Sequence, residues 1–453
     1  MTPVREFLYF LITILIFAML FFLWKEEPEL LVEKPIVEEI YTDSLTSLLQ
    51  VDETMEKLVA DSIQTTPDPE VRHPLFFSTP LLFADDDSVR FSFLFDKLQH
   101  PDRSNLPVRV VYFGDSQIEN DRITGALRIQ LQQAFSGKGP GFVPLDQYYN
   151  TNHQLLIETS NNWEIKTFQD NDFINESLLF KNAVLTAANP TAWFRIKRIR
   201  RLDPQPDYQL MKLYYTAKDS CQVTVRQGRT QIFSGYLLPK EEVSTLDFQF
   251  NRTPDDIRFD FNASDTLNIA GLSLETSSGV LVDNIALRGL SYPTFESSNR
   301  KNIKQMLDQV NVGLFVLHFG VNLVPYQSSD YRYFRIHFQR QIDFLRSVRP
   351  QVPILIVGVS DMAKKQDGEF VSYSNIQTIK RIQYEIAMEN QTAFWDLQSF
   401  MGGEGAMVRW VNHQPALGRK DYVHFSKRGA NLIGRELAHS ILNEMKTTTD
   451  SIQ

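Results

Sequence analysis

A chain of 453 residues is long for one domain, and with 43% hydrophobic and 22% charged residues it has the composition of a folded protein, which excludes wholesale disorder. Its 46 Lys and Arg against 55 Asp and Glu leave a formal charge of −9, the wrong sign for neutralising phosphate backbones, so nucleic acid is not expected as a partner. Cys221 stands alone, which excludes intrachain disulfides, thiolate zinc clusters and iron–sulfur ligation.

Phe7 to Trp24 is an uncharged apolar run that would extend about 27 Å as a helix, enough to cross a bilayer. Trp24-Lys25-Glu26-Glu27 follows it, where a cleaved signal peptide would need small residues, so residues 1–26 are expected to be an uncleaved transmembrane anchor. Arg5 before the span and Lys25 after it nearly cancel, and charge does not orient it. Residues 27–105 are expected to be an acidic spacer, with prolines at 28, 35, 67 and 69 and some helical character over Ser44 to Ile63.

Val108 to Phe113 (VRVVYF) predicts a buried strand that ends at Gly114-Asp115-Ser116-Gln117. A helix pattern follows from Ile123 to Phe135, with Asn120 or Asp121 as N-cap and Gly137 as terminator. Strand, tight turn with a serine, helix is the arrangement that presents a nucleophile at the carboxyl end of a parallel strand. From 152 to 279 the pattern becomes all-β, with short runs at Leu210 to Tyr215, Cys221 to Arg226, Leu246 to Phe250, Ile257 to Phe261 and Leu267 to Leu274, several of period two. The expectation is a β-sandwich inserted into an α/β domain.

Strands and helices then alternate again. Leu314 to Phe319, Ile354 to Val359 and Ala393 to Leu397 read as strands; Ser329 to Arg349, Ile376 to Asn390 and Ser426 to Lys446 read as helices. Residues 106–151 and 280–447 are therefore expected to form one α/β domain around a parallel sheet covered on both faces, with a tail at 448–453.

A serine is a poor nucleophile unless a base lies within hydrogen-bond reach and a third group fixes that base's tautomer. Among the eight histidines, His424 stands out in Asp421-Tyr422-Val423-His424, directly before the Ser426 N-cap of the last helix. Asp421 and His424 can both face the sheet's carboxyl edge. Asn322 in Gly320-Val321-Asn322 follows another strand and can donate to an oxyanion. Asp361 ends a further strand and reads as a supporting residue. His318, His337, His413 and His439 read as structural or solvated, and without HExxH or clustered ligands no metal and no cofactor is expected. The glycines at Gly137 lack the Gly-Lys-Ser/Thr ending of a phosphate loop. In the insert, Arg195, Lys197, Arg198, Arg200 and Arg201 lie among Trp163, Trp193, Tyr214, Tyr215 and Tyr236, a mixture that sugars can bind but that reads more simply as core and solvated strand faces.

Gly114-Asp115-Ser116, Gly289 within Val282-Asp283-Asn284-Ile285-Ala286-Leu287-Arg288-Gly289, Gly320-Val321-Asn322 and Asp421-x-x-His424 occur in the order and local contexts of the four blocks of the SGNH (GDSL-type) hydrolases, which the chain resembles over the two α/β pieces. The β-rich interruption resembles a subgroup of bacterial peptidoglycan O-acetylesterases in which a carbohydrate-binding-like module is inserted, as does the turn Gly137-Lys138-Gly139-Pro140-Gly141-Phe142. Two positions depart from the pattern: Gln117 where many members have Leu, and Leu323 after Asn322 where many have Asp.

The resemblance implies a flavodoxin-like three-layer SGNH fold with an inserted β-sandwich behind the N-terminal transmembrane helix. It implies that Ser116 attacks an ester carbonyl, His424 relays the proton and Asp421 orients His424, with an oxyanion hole from the Ser116 and Gly289 backbone N–H groups and the Asn322 side chain. The substrate it implies is an O-acetylated glycan of peptidoglycan or another envelope polysaccharide, with the membrane as a partner through the anchor and the globular part periplasmic. An O-acetyltransferase with the same triad, or a noncatalytic envelope glycan-binding protein, are the alternatives.

Overall fold

Every residue of Val108–Gly114 (β1) is buried, as a strand of β-branched and aromatic residues inside a parallel sheet must be. The computed structural model describes residues 78–84, 88–100, 103–104, 106–145, 155–167, 181–199, 207–295 and 298–450. Helix α1 (Ser88–Gln99) precedes β1, and a 3₁₀ segment (Ser116–Asp121) leads from it into α2 (Arg122–Phe135). Short strands then follow one another: β2 (Gly141–Val143), β3 (Leu155–Thr159), β4 (Glu164–Thr167), β5 (Lys181–Leu185), β6 (Thr191–Arg198), β7 (Leu210–Ala217), β8 (Cys221–Gln227), β9 (Thr230–Leu237), β10 (Lys240–Gln249), β11 (Asp256–Ala263) and β12 (Leu267–Glu275). The remainder alternates: β13 (Val280–Ala286), α3 (Arg300–Asp308), β14 (Asn311–His318), a 3₁₀ segment (Val321–Tyr326), α4 (Arg332–Val348), β15 (Ile354–Val357), the hairpin β16 (Ala363–Gln366) and β17 (Glu369–Ser372), α5 (Ile376–Glu389), β18 (Ala393–Trp395), α6 (Leu397–Met401), α7 (Ala406–Asn412) and α8 (Lys427–Asp450).

Strands β13, β1, β14, β15 and β18 lie side by side in that order, all parallel. Side chains alternate across this sheet. Val108, Val110 and Tyr112 pack with apolar residues of α1, α2 and α8, while Val111 and Phe113 pack with those of α3, α4 and α5. Helix α1 lies in the stretch read from sequence as spacer, yet Phe91, Leu94, Phe95 and Leu98 recur at helical spacing and are buried in the first of these layers. Just upstream, Leu82 exchanges both backbone hydrogen bonds with Phe394 of β18, at 2.8 and 2.9 Å, and so covers that sheet edge.

The antiparallel strands form two further sheets, β10-β7-β12-β5-β4 with β2 added on β12, and β3-β6-β11-β8-β9. They share a core that includes Phe194, Met211, Leu213, Phe259 and Leu272. Strand β11 shows why these elements form, since its inward residues Ile257, Phe259, Phe261 and Ala263 are buried and alternate with partly exposed ones. A buried charge network ties this region to the parallel sheet. Arg109 on β1 donates to Asp283 Oδ1 of β13 at 2.7 Å, to Ser273 Oγ at 2.9 Å and to Glu275 Oε2 of β12 at 2.5 Å, and Lys212 of β7 reaches Glu275 Oε1 at 2.7 Å. At the same joint Gly141 has φ +79°, and a Cβ there would stand 2.5 Å from Asp283 Oδ1, the atom that accepts the Phe142 N–H.

The fold expected from sequence is corrected by this architecture. The described chain is a mixed α/β structure of several sheets, not one parallel sheet carrying a separate sandwich behind a membrane helix. Strand β2, from the stretch assigned to the first α/β piece, pairs with β12 of the antiparallel region, and β16 and β17 make a small sheet of their own. No helix among the described residues is long and apolar enough to cross a membrane. Phe7 to Trp24, on which the anchor was read, lie outside the described residues.

Candidate active site

Register brings the functional loops to one edge. Gly114 at the end of β1 lies opposite Ala286 of β13 and His318 of β14, and His318 lies opposite Val357 of β15. The segments that leave these four ends carry Ser116, Gly289, Asn322 and Asp361. Between β1 and β14 the strand order reverses direction, the place where an open α/β sheet forms a crevice.

Ser116 is only 6% exposed and opens the 3₁₀ segment after β1. Asp115 before it caps that segment, its Oδ1 accepting the Gln117 N–H at 3.0 Å. Burial pushes the Asp115 carboxyl up to about 7, with the charge of Glu119 acting in the same direction against the Gln117 N–H. The turn continues through Asn120 and Asp121, both with positive φ, 56° and 57°. These left-handed residues are held from outside. Asn284 of β13 donates to the Ile118 carbonyl at 2.7 Å and to Thr124 Oγ1 at 2.9 Å, and Arg128 binds the buried Asp121 carboxylate.

His424 comes from the loop before α8. Its Nε2 lies 2.9 Å from Ser116 Oγ, and its Nδ1 lies 2.9 Å from Asp421 Oδ2. Asp421 Oδ1 also accepts the backbone N–H groups of Val423 and His424, at 3.0 and 2.9 Å. Burial by itself raises the Asp421 carboxyl, but the hydrogen bonds from the His424 ring and from these two backbone groups outweigh it and hold the group down to about 2. The carboxylate is thus charged whenever the imidazole needs a counter-charge. Tyr422 between them has φ +58°, stacks on Phe370 of β17 with ring centroids 3.6 Å apart, and accepts the Ala363 N–H at its carbonyl. The β16–β17 hairpin therefore braces the histidine loop. Ser426 accepts the Gly429 N–H as the expected cap of α8 and donates to the Ala416 carbonyl.

Gly289 sits in the turn Leu287–Leu290, closed by a Leu290 N–H to Leu287 carbonyl bond, with φ +80° and open space where a Cβ would be. Asn322 Nδ2 donates one hydrogen to the Leu290 carbonyl at 2.9 Å, which ties the third block to the second and leaves the amide a further hydrogen. Ser116, His424 and Asp421 are thus joined in one hydrogen-bonded chain, and Asn322 is joined to Leu290, the residue after Gly289.

Three supporting residues escaped the sequence reading. Gln117, 1% exposed, donates from Nε2 to Ser360 Oγ at 2.8 Å and to the Val423 carbonyl at 3.3 Å, linking the serine turn to the residue before His424. Its departure from the Leu that many SGNH hydrolases, which the chain resembles, carry there was the available signal. Arg122 donates to the Ser116 carbonyl at 2.6 Å and to the Glu119 carbonyl at 2.8 Å. Asn284 gave no signal, because an Asn in an apolar run looks like a strand breaker. Asp361 is buried and accepts from Ser372 Oγ at 2.8 Å and the Met407 N–H at 2.9 Å, bonds that anchor β17 and the start of α7. His318, whose ring burial pushes down to about 3, pairs its Nδ1 with Tyr112 OH at 3.0 Å beneath the site. Among the described residues no group of three or more His, Cys, Asp or Glu is arranged to hold a metal ion.

No family model matches the chain. No curated protein matches it by sequence. Among solved structures, a peptidoglycan O-acetylesterase matches with a TM-score of 0.65 at 20% identity, over 81% of this chain and 99% of that one. An acetyl xylan esterase matches far more loosely, with a TM-score of 0.28 at 17% identity over 36% of this chain and 81% of that one. So does a family two carbohydrate esterase from Clostridium thermocellum in complex with cellohexaose, with a TM-score of 0.27 at 10% identity over 64% of this chain and 99% of that one. The chain shares its fold with the peptidoglycan O-acetylesterase, in agreement with the resemblance carried by the four sequence blocks.

Proposed function

We propose that this chain is an SGNH-type serine ester hydrolase that removes O-acetyl groups from an envelope polysaccharide, with its globular part outside the cytoplasm where that polymer lies. The observation that carries the reading is the continuous chain from Ser116 Oγ through His424 to Asp421, each contact at 2.9 Å. The shared fold with a peptidoglycan O-acetylesterase supports the choice of substrate class.

In this reading His424 Nε2 takes the Ser116 proton as Oγ adds to the acetyl carbonyl, and Asp421 stabilises the imidazolium that forms. The negative charge on the tetrahedral carbon's oxygen is met by the Ser116 and Gly289 N–H groups and the remaining Asn322 amide hydrogen. Collapse expels the sugar oxygen, which takes the proton back from His424. Water then repeats the sequence on the acetyl-serine, releasing acetate and restoring Ser116.

The test is acetate release from O-acetylated peptidoglycan and from p-nitrophenyl acetate by the purified full-length chain, beside Ser116→Ala. Loss of turnover by about 10⁴-fold or more, with loss of covalent labelling by a fluorophosphonate, is expected of the variant. Undiminished hydrolysis by Ser116→Ala would overturn the reading.

A further inference from the structure

The loop that carries His424 fixes its own shape by internal bonds, and these leave its place in the molecule open. The Arg419 N–H donates to the His424 carbonyl at 2.8 Å, the Tyr422 N–H donates to the Arg419 carbonyl at 3.0 Å, and Asp421 Oδ1 accepts the Val423 and His424 N–H groups. All of these bonds run between residues 419 and 424 and travel with the loop. At its centre Tyr422 stands at φ +58°, a conformation that a bulky residue keeps only where its surroundings impose it. Contacts from outside supply that constraint. The Tyr422 ring borders the apolar layer of α1, α2 and α8, and Gln117 Nε2 donates to the Val423 carbonyl at 3.3 Å. From the opposite strand pair, the Ala363 N–H of β16 donates to the Tyr422 carbonyl at 3.1 Å. The Phe370 ring of β17 lies on the Tyr422 ring, with centroids 3.6 Å apart and planes 12° from parallel.

The hairpin is firm at both ends. Gln366 pairs with Glu369, which leaves Asp367 and Gly368 as a two-residue turn with φ +50° and +90°, the left-handed pair that suits the twist of a hairpin. At its base the Tyr373 N–H donates to the Met362 carbonyl at 3.1 Å, and Ser372 Oγ donates to the buried Asp361 carboxylate and accepts the Gly405 N–H, both at 2.8 Å. Two strands that join no larger sheet are marginal by themselves, so this hairpin depends on what it docks against. Phe370 lies outside the three apolar cores and stays 37% exposed, and its ring contact is Tyr422, one residue from Asp421 and two from His424. A swing of the loop at Tyr422 would carry the imidazole with it, and a misplacement of about 1 Å at reacting groups costs on the order of 10²-fold in rate.

We propose that Phe370 is a positioning residue for the reaction: by its stack on Tyr422 the β16–β17 hairpin holds the histidine loop where His424 Nε2 reaches Ser116 Oγ. This rests on the esterase reading above and gives the hairpin its part in it. Phe370 acts through Tyr422, so its loss lowers kcat and leaves substrate binding in place.

The test measures kcat and KM of the full-length chain on p-nitrophenyl acetate, with kcat expressed per site titrated by a fluorophosphonate so that unfolded protein does not count. In Phe370→Ala kcat is expected to fall about 10- to 100-fold, with KM changed by less than about threefold. Phe370→Tyr keeps a ring on Tyr422 and should stay within about threefold of the native kcat. Tyr422→Gly removes the ring that Phe370 holds while tolerating the positive φ; it should lower kcat as well, and adding Phe370→Ala to it should cost less than about threefold more. A native kcat in Phe370→Ala, or a change confined to KM, would overturn this inference alone. So would a Phe370→Tyr chain as slow as Phe370→Ala, or a double variant in which the two losses multiply. A native chain that hydrolyses no ester, or a Ser116→Ala chain that still does, would overturn the esterase reading and this one with it.

Discussion

Replacing Asp421 by Asn keeps the side chain's shape and reverses one hydrogen bond. In the native site Oδ2 faces His424 Nδ1 at 2.9 Å, and Oδ1 accepts two backbone N–H groups at 3.0 and 2.9 Å. Asn has one carbonyl oxygen, and turning its NH₂ toward the two backbone donors would lose both of those bonds. The oxygen therefore stays with the backbone and the NH₂ turns to Nδ1. Two donors cannot share that contact, so the imidazole proton moves to Nε2, the nitrogen 2.9 Å from Ser116 Oγ. A protonated Nε2 cannot accept the serine's proton. The same reversal in a Ser-His-Asp protease lowers kcat about 10⁴-fold, which at 1.36 kcal/mol per decade is about 5.4 kcal/mol of barrier. Because the native carboxyl is held at about 2, the substitution removes a full negative charge throughout the neutral range. KM should change little, since Asp421 touches the histidine and its own loop. Burst and steady-state kinetics on p-nitrophenyl acetate between about pH 6 and 9 measure the effect, with circular dichroism reporting that the fold is kept. A kcat within tenfold of the native chain would refute the tautomer argument and Asp421's place in it.

Asn322→Ala removes an amide already positioned by the Leu290 carbonyl, and kcat is expected to fall about 10²- to 10³-fold with little change in KM, measured on the same ester. Gln117→Leu introduces the residue that many SGNH hydrolases carry there but strips the fully buried Ser360 hydroxyl and the Val423 carbonyl of a donor, a loss of about 1–3 kcal/mol that a shifted urea midpoint would report. The Asp115 carboxyl titrates at about 7 in the folded chain against an ordinary 3.8, so the native state holds its proton more tightly than the unfolded one. Its contribution to stability is complete below about pH 4 and declines as pH rises to about 7, by on the order of 4 kcal/mol. Asp115→Asn keeps an oxygen for the Gln117 N–H and cannot ionise, so it should flatten that decline in urea midpoints taken at about pH 5 and 8; an unchanged slope would show that Asp115 is not its source.

Much of the parallel sheet was legible because β1 and β14 are nearly continuous apolar runs, buried on both faces, and the helices α4 and α5 keep one helical period. The antiparallel edges were not. Thr230–Leu237 is exposed at most positions, so no buried stripe marks it, and it is held by pairing with β8 and by Phe233 and Leu237, which reach the antiparallel core. Val280–Ala286 is buried nearly throughout but contains Asp283 and Asn284, whose polarity hides the strand. Arg109 and the Phe142 N–H satisfy the first, and the Asn284 amide finds the Ile118 carbonyl and Thr124, partners that only the assembled fold supplies. Helix α1 was read as spacer because its neighbours upstream are acidic and rich in proline, although its own apolar spacing is that of a packed helix.

The amino-acid order alone determined which residues could do chemistry and in what local frame: a serine in a strand-to-helix turn, and an Asp and a His three apart before a capped helix, close enough to meet through local backbone geometry. Bringing Ser116 to a histidine 308 positions away was decided by the tertiary structure. Equal register at the ends of β13, β1 and β14, set by side chains buried on both faces of the sheet, places the loops along one edge. Gln117 then joins the serine turn to the histidine loop through one buried amide whose partners are far off in the chain, a contact that spacing cannot encode and packing can.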